Sequence, residues 1–137
     1  MDQKLELLKA VPLFAELGAR DLADVAKLTD EVDVRAGKVL MEEGSAGHEF
    51  FIIASGRVAV ERGGQRIRDL GPGDFLGEIA LVDGGPRTAT ATAETDTSLL
   101  VLAHREFNTL MAGYPAVREC VLRCLAKRVR AVDPNAS

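Results

Sequence analysis

A chain of 137 residues with a formal charge of −4 at neutral pH has room for one domain around one continuous hydrophobic core. That charge argues against an extended surface for nucleic acid or anionic lipid, which needs clustered Lys and Arg. It leaves open a single buried cation placed for one small anion. Nearly half of the residues are hydrophobic, yet there is no Trp, one Tyr and only five Phe, so the core must be mainly aliphatic.

Helical spacing opens the chain. Leu5, Leu7 and Leu8 lie within a helix expected over Asp2 to Ala10, and Pro12 breaks it before Leu13 and Phe14. Asp2, Lys4 and Glu6 interrupt this segment, so no secretory signal is expected. Gly18 to Thr29 then sets Leu22, Val25, Ala26 and Thr29 on one helical face. At Val32 and Val34 the period changes to two, which predicts a strand with one buried face.

From there glycines divide strand-length pieces: Val39 to Met41, Phe50 to Ala54, Val58 to Val60 and Ile67 to Leu70. Gly63-Gly64 predicts a hairpin and Pro72-Gly73-Asp74 a turn. Thr88 to Ala93 and Ser98 to Leu102 are further strands, so about eight short strands form an antiparallel barrel or jelly roll. The runs Phe50 to Ala54 and Leu99 to Ala103 are far too short to span a bilayer, and no direct membrane contact is expected. His104 to Ala112 is helical and closed by Gly113; Pro115 starts a second helix that runs to about Val132. Cys120 and Cys124, four apart on it, are badly placed for a disulfide or a metal site and are expected as reduced thiols of a cytoplasmic protein. The fold class is α+β: an eight-stranded antiparallel barrel over 31–103, flanked by N-terminal helices over 1–30 and two C-terminal helices over 104–132. Residues 133–137 are expected to be a disordered tail.

One stretch carries chemistry. Gly77 precedes a short helix-capable piece, Glu78 to Val82, and Gly84-Gly85-Pro86 ends it before Arg87. A helix start that follows a glycine presents free N–H groups to an anion. Arg87, nine residues after Glu78, could bring a planar guanidinium to the same anion. The residues alone leave a second reading open, a surface loop with an incidental Arg.

Gly77-Glu78-Ile79-Ala80-Leu81 and Pro86-Arg87-Thr88-Ala89-Thr90 closely resemble the phosphate-binding cassette of the cyclic nucleotide-binding domain family. Gly44 to Phe51, Ile52 to Val58 and Leu70 to Asp74 are similar to that family's barrel strands and turns, so the resemblance runs from about Leu13 to Val132. It implies a cassette over 77–90 with a short helix, within one domain over 1–132. It implies that Arg87 pairs with the exocyclic oxygens of a cyclic phosphate and that N–H groups around Ile79, Ala80 and Thr88 add donors. Glu78 would accept from the ribose 2′-OH; a structural Glu78–Arg87 ion pair is the competing reading. Gly77 and Ala89 complete the expected contacts.

Val58 and Leu76 are candidate walls for the base, and equally ordinary core residues. Thr88 is common where cyclic GMP is preferred but also occurs in members that prefer cyclic AMP. Cyclic AMP is the expected ligand, with cyclic GMP second. The last helix is the expected lid: Val117, Cys120, Val121, Cys124, Leu125, Val129 and Val132 form an apolar arc, with Arg128 inside it. Arg128 either stacks on the purine or packs its stem and extends its head to water.

No enzyme is expected, and neither catalytic residues nor a cofactor, because no nucleophile and base are paired. His48 and His104 alone cannot build a cupin-like metal site. A DNA-binding module would need a further helical unit after the last helix, so no nucleic-acid partner is expected. The expected partners are the cyclic nucleotide and an effector protein or domain in the same or another chain. The alternative is a ligand-free degenerate barrel that serves for protein docking.

Overall fold

The computed structural model describes residues 3–11, 14, 15, 17–47, 49–77 and 86–132, without the side chains of 3, 124, 125 and 128–132. Two helices, α1 (Gln3–Lys9) and α2 (Ala19–Leu28), precede the strands. These are β1 (Asp30–Val34), β2 (Val39–Met41), β3 (Glu49–Ser55), β4 (Val58–Arg62), β5 (Gln65–Leu70), β6 (Phe75–Leu76), β7 (Thr90–Ala93) and β8 (Thr97–Ala103). Two helices, α3 (His104–Gly113) and α4 (Pro115–Val132), follow. None of the described helices is long and apolar enough to cross a membrane.

The strands form two four-stranded sheets, ordered β1-β8-β3-β6 and β2-β7-β4-β5, with every pair antiparallel. The architecture is the expected jelly roll. Its organisation follows from the two-residue period of a strand. On β3 and β8, Phe51, Ile53, Leu99 and Val101 point between the sheets, where they meet Val58, Val60, Leu70, Leu76 and Ala91. Their neighbours Phe50, Ile52, Leu100 and Leu102 point the other way, into a second cluster with Phe14, Leu22, Val25, Phe107, Leu110, Val117 and Val121. Because both faces are covered, β3 reads in the sequence as a continuous apolar run.

Local signals explain the joints. Gly63 and Gly64 are the two-residue turn between β4 and β5, with φ of 59° and 80°; both central residues of this turn type need positive φ, which glycine adopts at least cost. The face of α2 lies as predicted, with Leu22, Val25 and Ala26 buried. Lys4 Nζ donates to the Ala26 and Thr29 carbonyls at 2.9 and 2.6 Å, setting a cation on the open carbonyl end of α2. Tyr114, at the joint between α3 and α4, donates to Asp24 of α2 at 3.2 Å. Cys120 is a free, half-buried thiol packed against the helix-side cluster.

Two expectations need correction. β1 does not have a cleanly buried face: Val32 is 39% exposed and Val34 half-buried. Val32 pairs with Leu99 and so shares its face, but β1 is an edge strand and is covered from one side only. β6 was not expected. Its two residues pair with Phe51 and Ile52, too short a segment to show any alternation in the sequence. The expected helix over 78–82 and the tail lie outside the described residues.

Phe50 is fully buried, with ring centroids 5.4 Å from Phe75 and 4.8 Å from Phe107. Phe50→Ala should destabilise the fold by about 3–5 kcal/mol, read as a lower midpoint of urea unfolding. Burial, with Asp24 second, raises the Tyr114 phenol above its ordinary range. Its contribution to stability is therefore complete below the unfolded-state value near 10 and lost as pH rises through the folded value. Tyr114→Phe should flatten the alkaline fall in stability, measured by urea unfolding at about pH 8 and 10.5.

Candidate functional site

Arg87 follows Pro86 just ahead of β7, and the turn between β2 and β3 fixes its main chain. Gly44 N–H donates to the Arg87 carbonyl at 2.8 Å, and Arg87 N–H donates to the Ser45 carbonyl at 2.7 Å. With the backbone pinned, the side chain turns inward and is only 5% exposed. Nη1 donates to the Gly77 carbonyl at 3.2 Å and Nη2 to the Glu49 carbonyl at 2.8 Å. The guanidinium carbon lies 5.9 Å from the centre of the Phe51 ring.

These partners orient the guanidinium without neutralising it. Carbonyls accept hydrogen bonds but carry no net charge, and no carboxylate among the described residues forms an ion pair with Arg87. Three of its five N–H groups have no acceptor among the described residues. Burial pushes its pKa below the ordinary value, and the Glu49 carboxylate acts in the opposite direction. The group remains a cation throughout the physiological range. A buried cation is costly unless a counter-charge meets it, and here the Glu49 carboxylate acts on the guanidinium without forming an ion pair with it.

Gly77 belongs to the same constellation. Its φ is +93°, and a Cβ there would stand 2.6 Å from the Glu49 carbonyl oxygen and 2.7 Å from Arg87 Nη1. Only glycine fits both the backbone and the space. A cleft of about 300 Å³ opens beside Arg87, with Met41, Glu42, Ser45 and Glu49 among its other lining residues.

Of the residues singled out in the sequence, the structure thus brings Gly77 and Arg87 together. Thr88 is exposed, and its carbonyl accepts from Arg62 Nε at 3.0 Å. Ala89, Val58 and Leu76 are buried in the cluster between the sheets, and none of the three lines the cleft beside Arg87. Glu78, Ile79 and Ala80, and the side chain of Arg128, lie outside the described residues. The turn from Glu42 to Gly47 and the Glu49 carbonyl escaped sequence reasoning. A main-chain partner leaves no mark on residue identity.

Residues 31–114 match the model of the cyclic nucleotide-binding domain. The chain is 37% identical over 123 residues to a cyclic nucleotide-gated potassium channel of Rhizobium etli, covering 90% of this chain and 34% of the channel. It is 33% identical over 131 residues to the cyclic AMP receptor protein of Thermus thermophilus, covering 92% of this chain and 61% of that protein. The crystal structure of the Thermus thermophilus catabolite activator protein matches with a TM-score of 0.80 at 33% identity, over 89% of this chain and 60% of that one. The chain therefore spans about a third of the channel and three-fifths of the receptor. On the match to the domain model and these identities, the chain belongs to the cyclic nucleotide-binding domain family.

Proposed function

We propose that this chain binds a cyclic nucleotide monophosphate, cyclic AMP in preference to cyclic GMP, and acts as a ligand-switched regulatory module. The observation that carries the reading is the buried Arg87 guanidinium, oriented by two carbonyls and not ion-paired to any carboxylate among the described residues. A cyclic phosphate is a compact monoanion with two exocyclic oxygens, a shape that a guanidinium can contact through two N–H groups at once. Glu78 takes the ribose hydroxyl, and N–H groups around Ile79, Ala80 and Thr88 complete the phosphate shell. The preference for cyclic AMP is supported by a relative at 33% identity that is itself a cyclic AMP receptor.

Closure belongs to α4. Val117 and Val121, in its first half, are fixed in the helix-side cluster. The second half carries Arg128 over the base, and the nucleotide favours the closed arrangement by the difference in its affinity for closed and open states. An effector protein or domain reads that difference.

Isothermal calorimetry tests the reading. The wild type should bind cyclic AMP at micromolar concentration or tighter, and cyclic GMP more weakly. Arg87→Ala should weaken cyclic AMP binding at least about tenfold, or 1.4 kcal/mol. Folded, ligand-free protein that gives no heat with either nucleotide would sink the reading and leave a docking barrel. Arg128→Ala should weaken binding about two- to fivefold, the size of an exposed cation–π contact, with unfolding unchanged. Equal affinity in that variant would remove Arg128 from the lid.

A further inference from the structure

Gly47 and Gly71 are the two described glycines at which a Cβ would face a single arginine side chain, and at Gly71 the nearest atom, Arg57 Nη1, is 3.0 Å away, whereas at Gly47 the overlap with Arg87 is severe. Beside Gly56 and Gly77 a Cβ would press on neighbouring main chain, and both have positive φ. Beside Gly18, Gly44 or Gly113 it would meet open space. Gly47 has no positive φ, so its backbone suits any residue. Yet a Cβ there would overlap Nε of Arg87 and lie 2.6 Å from its Cζ and 2.8 Å from its Cδ. Its three nearest neighbours are all atoms of that one side chain.

We infer that Gly47 is a positioning residue for Arg87: its lack of a side chain sets where the guanidinium stands, and through it the affinity of the site for phosphate. This rests on the proposed nucleotide-binding role of Arg87. The inference turns on which atoms can move. The Arg87 main chain is held by Gly44 and Ser45, so a methyl at position 47 cannot push it away. The side chain beyond Cβ can rotate where the main chain cannot, so it is what yields, at the expense of its own contacts. In yielding it leaves the Gly77 and Glu49 carbonyls and its place against Phe51. The turn from Glu42 to Gly47 therefore grips Arg87 twice, at the main chain through hydrogen bonds and at the side chain through excluded volume. A substitution at 47 acts through the Arg87 side chain alone, whereas one at 77 also strains the main chain.

The test compares wild type, Gly47→Ala, Arg87→Lys and the double variant by calorimetry with cyclic AMP and by urea unfolding. Gly47→Ala should lose about tenfold in affinity and remain folded, with an unfolding midpoint lowered by the loss of the two carbonyl hydrogen bonds. In the Arg87→Lys background the same substitution should cost less than about twofold, because the guanidinium it displaces is gone. The Arg87 Nε–H resonance, assigned by its absence from Arg87→Lys, should shift in Gly47→Ala without any nucleotide. Wild-type affinity in Gly47→Ala, equal losses in both backgrounds, or an unfolded variant would each overturn the inference. If the wild type binds no nucleotide, the functional reading falls by itself. The resonance then decides the role of Gly47, and an unmoved signal overturns it.

Discussion

β3 is covered on both faces, and the rest of the molecule is arranged around that constraint. One face of the strand closes the space between the sheets and the other receives the helices. Phe50 and Phe51, adjacent in sequence, point in opposite directions: Phe51 lies beneath the Arg87 guanidinium, and Phe50 packs on Phe107 of α3. The strand's first residue, Glu49, gives its carbonyl to Arg87. The site and the helix layer are thus built from opposite sides of one short stretch of backbone. A shift of that strand end is felt by both, because close-packed interiors transmit displacement instead of absorbing it.

The electrostatic design follows from the same geometry. A carboxylate ion-paired to Arg87 would hold it well but would also cancel its charge; Glu49 acts on it without forming such a pair. Main-chain carbonyls fix the direction of the guanidinium and leave its charge available. The energetic cost is a buried cation, visible as the lowered pKa of Arg87. Such a cost is commonly stored at binding sites and offset when the ligand arrives.

Much of this was legible in the sequence, and for physical reasons. Gly63-Gly64 announces its hairpin because few other residues tolerate two successive positive φ angles. The face of α2 announces itself because burial of one side imposes a 3.6-residue period. Arg87 stood out through its spacing from Glu78 and through the family resemblance. What stayed hidden depends on contacts between distant parts of the chain. β6 exists because β3 offers it a partner, and two residues alone carry no period. The exposure of Val32 is decided by the position of β1 at the edge of its sheet, which an alternating pattern does not encode. The grip of the Glu42 to Gly47 turn on Arg87 is made by main chain and by an absent side chain, which leave no chemical signature to read.

The small contacts around α2 also define a route for mechanical load. Lys4 ties α1 to the end of α2, and Asp24 ties α2 to Tyr114 at the joint between α3 and α4. A displacement of the amino-terminal helices therefore has a polar path to that joint beside the apolar one through the cluster on β3. The helices at the two ends of the chain are thus tied to one another at Tyr114 as well as through the cluster they share on β3.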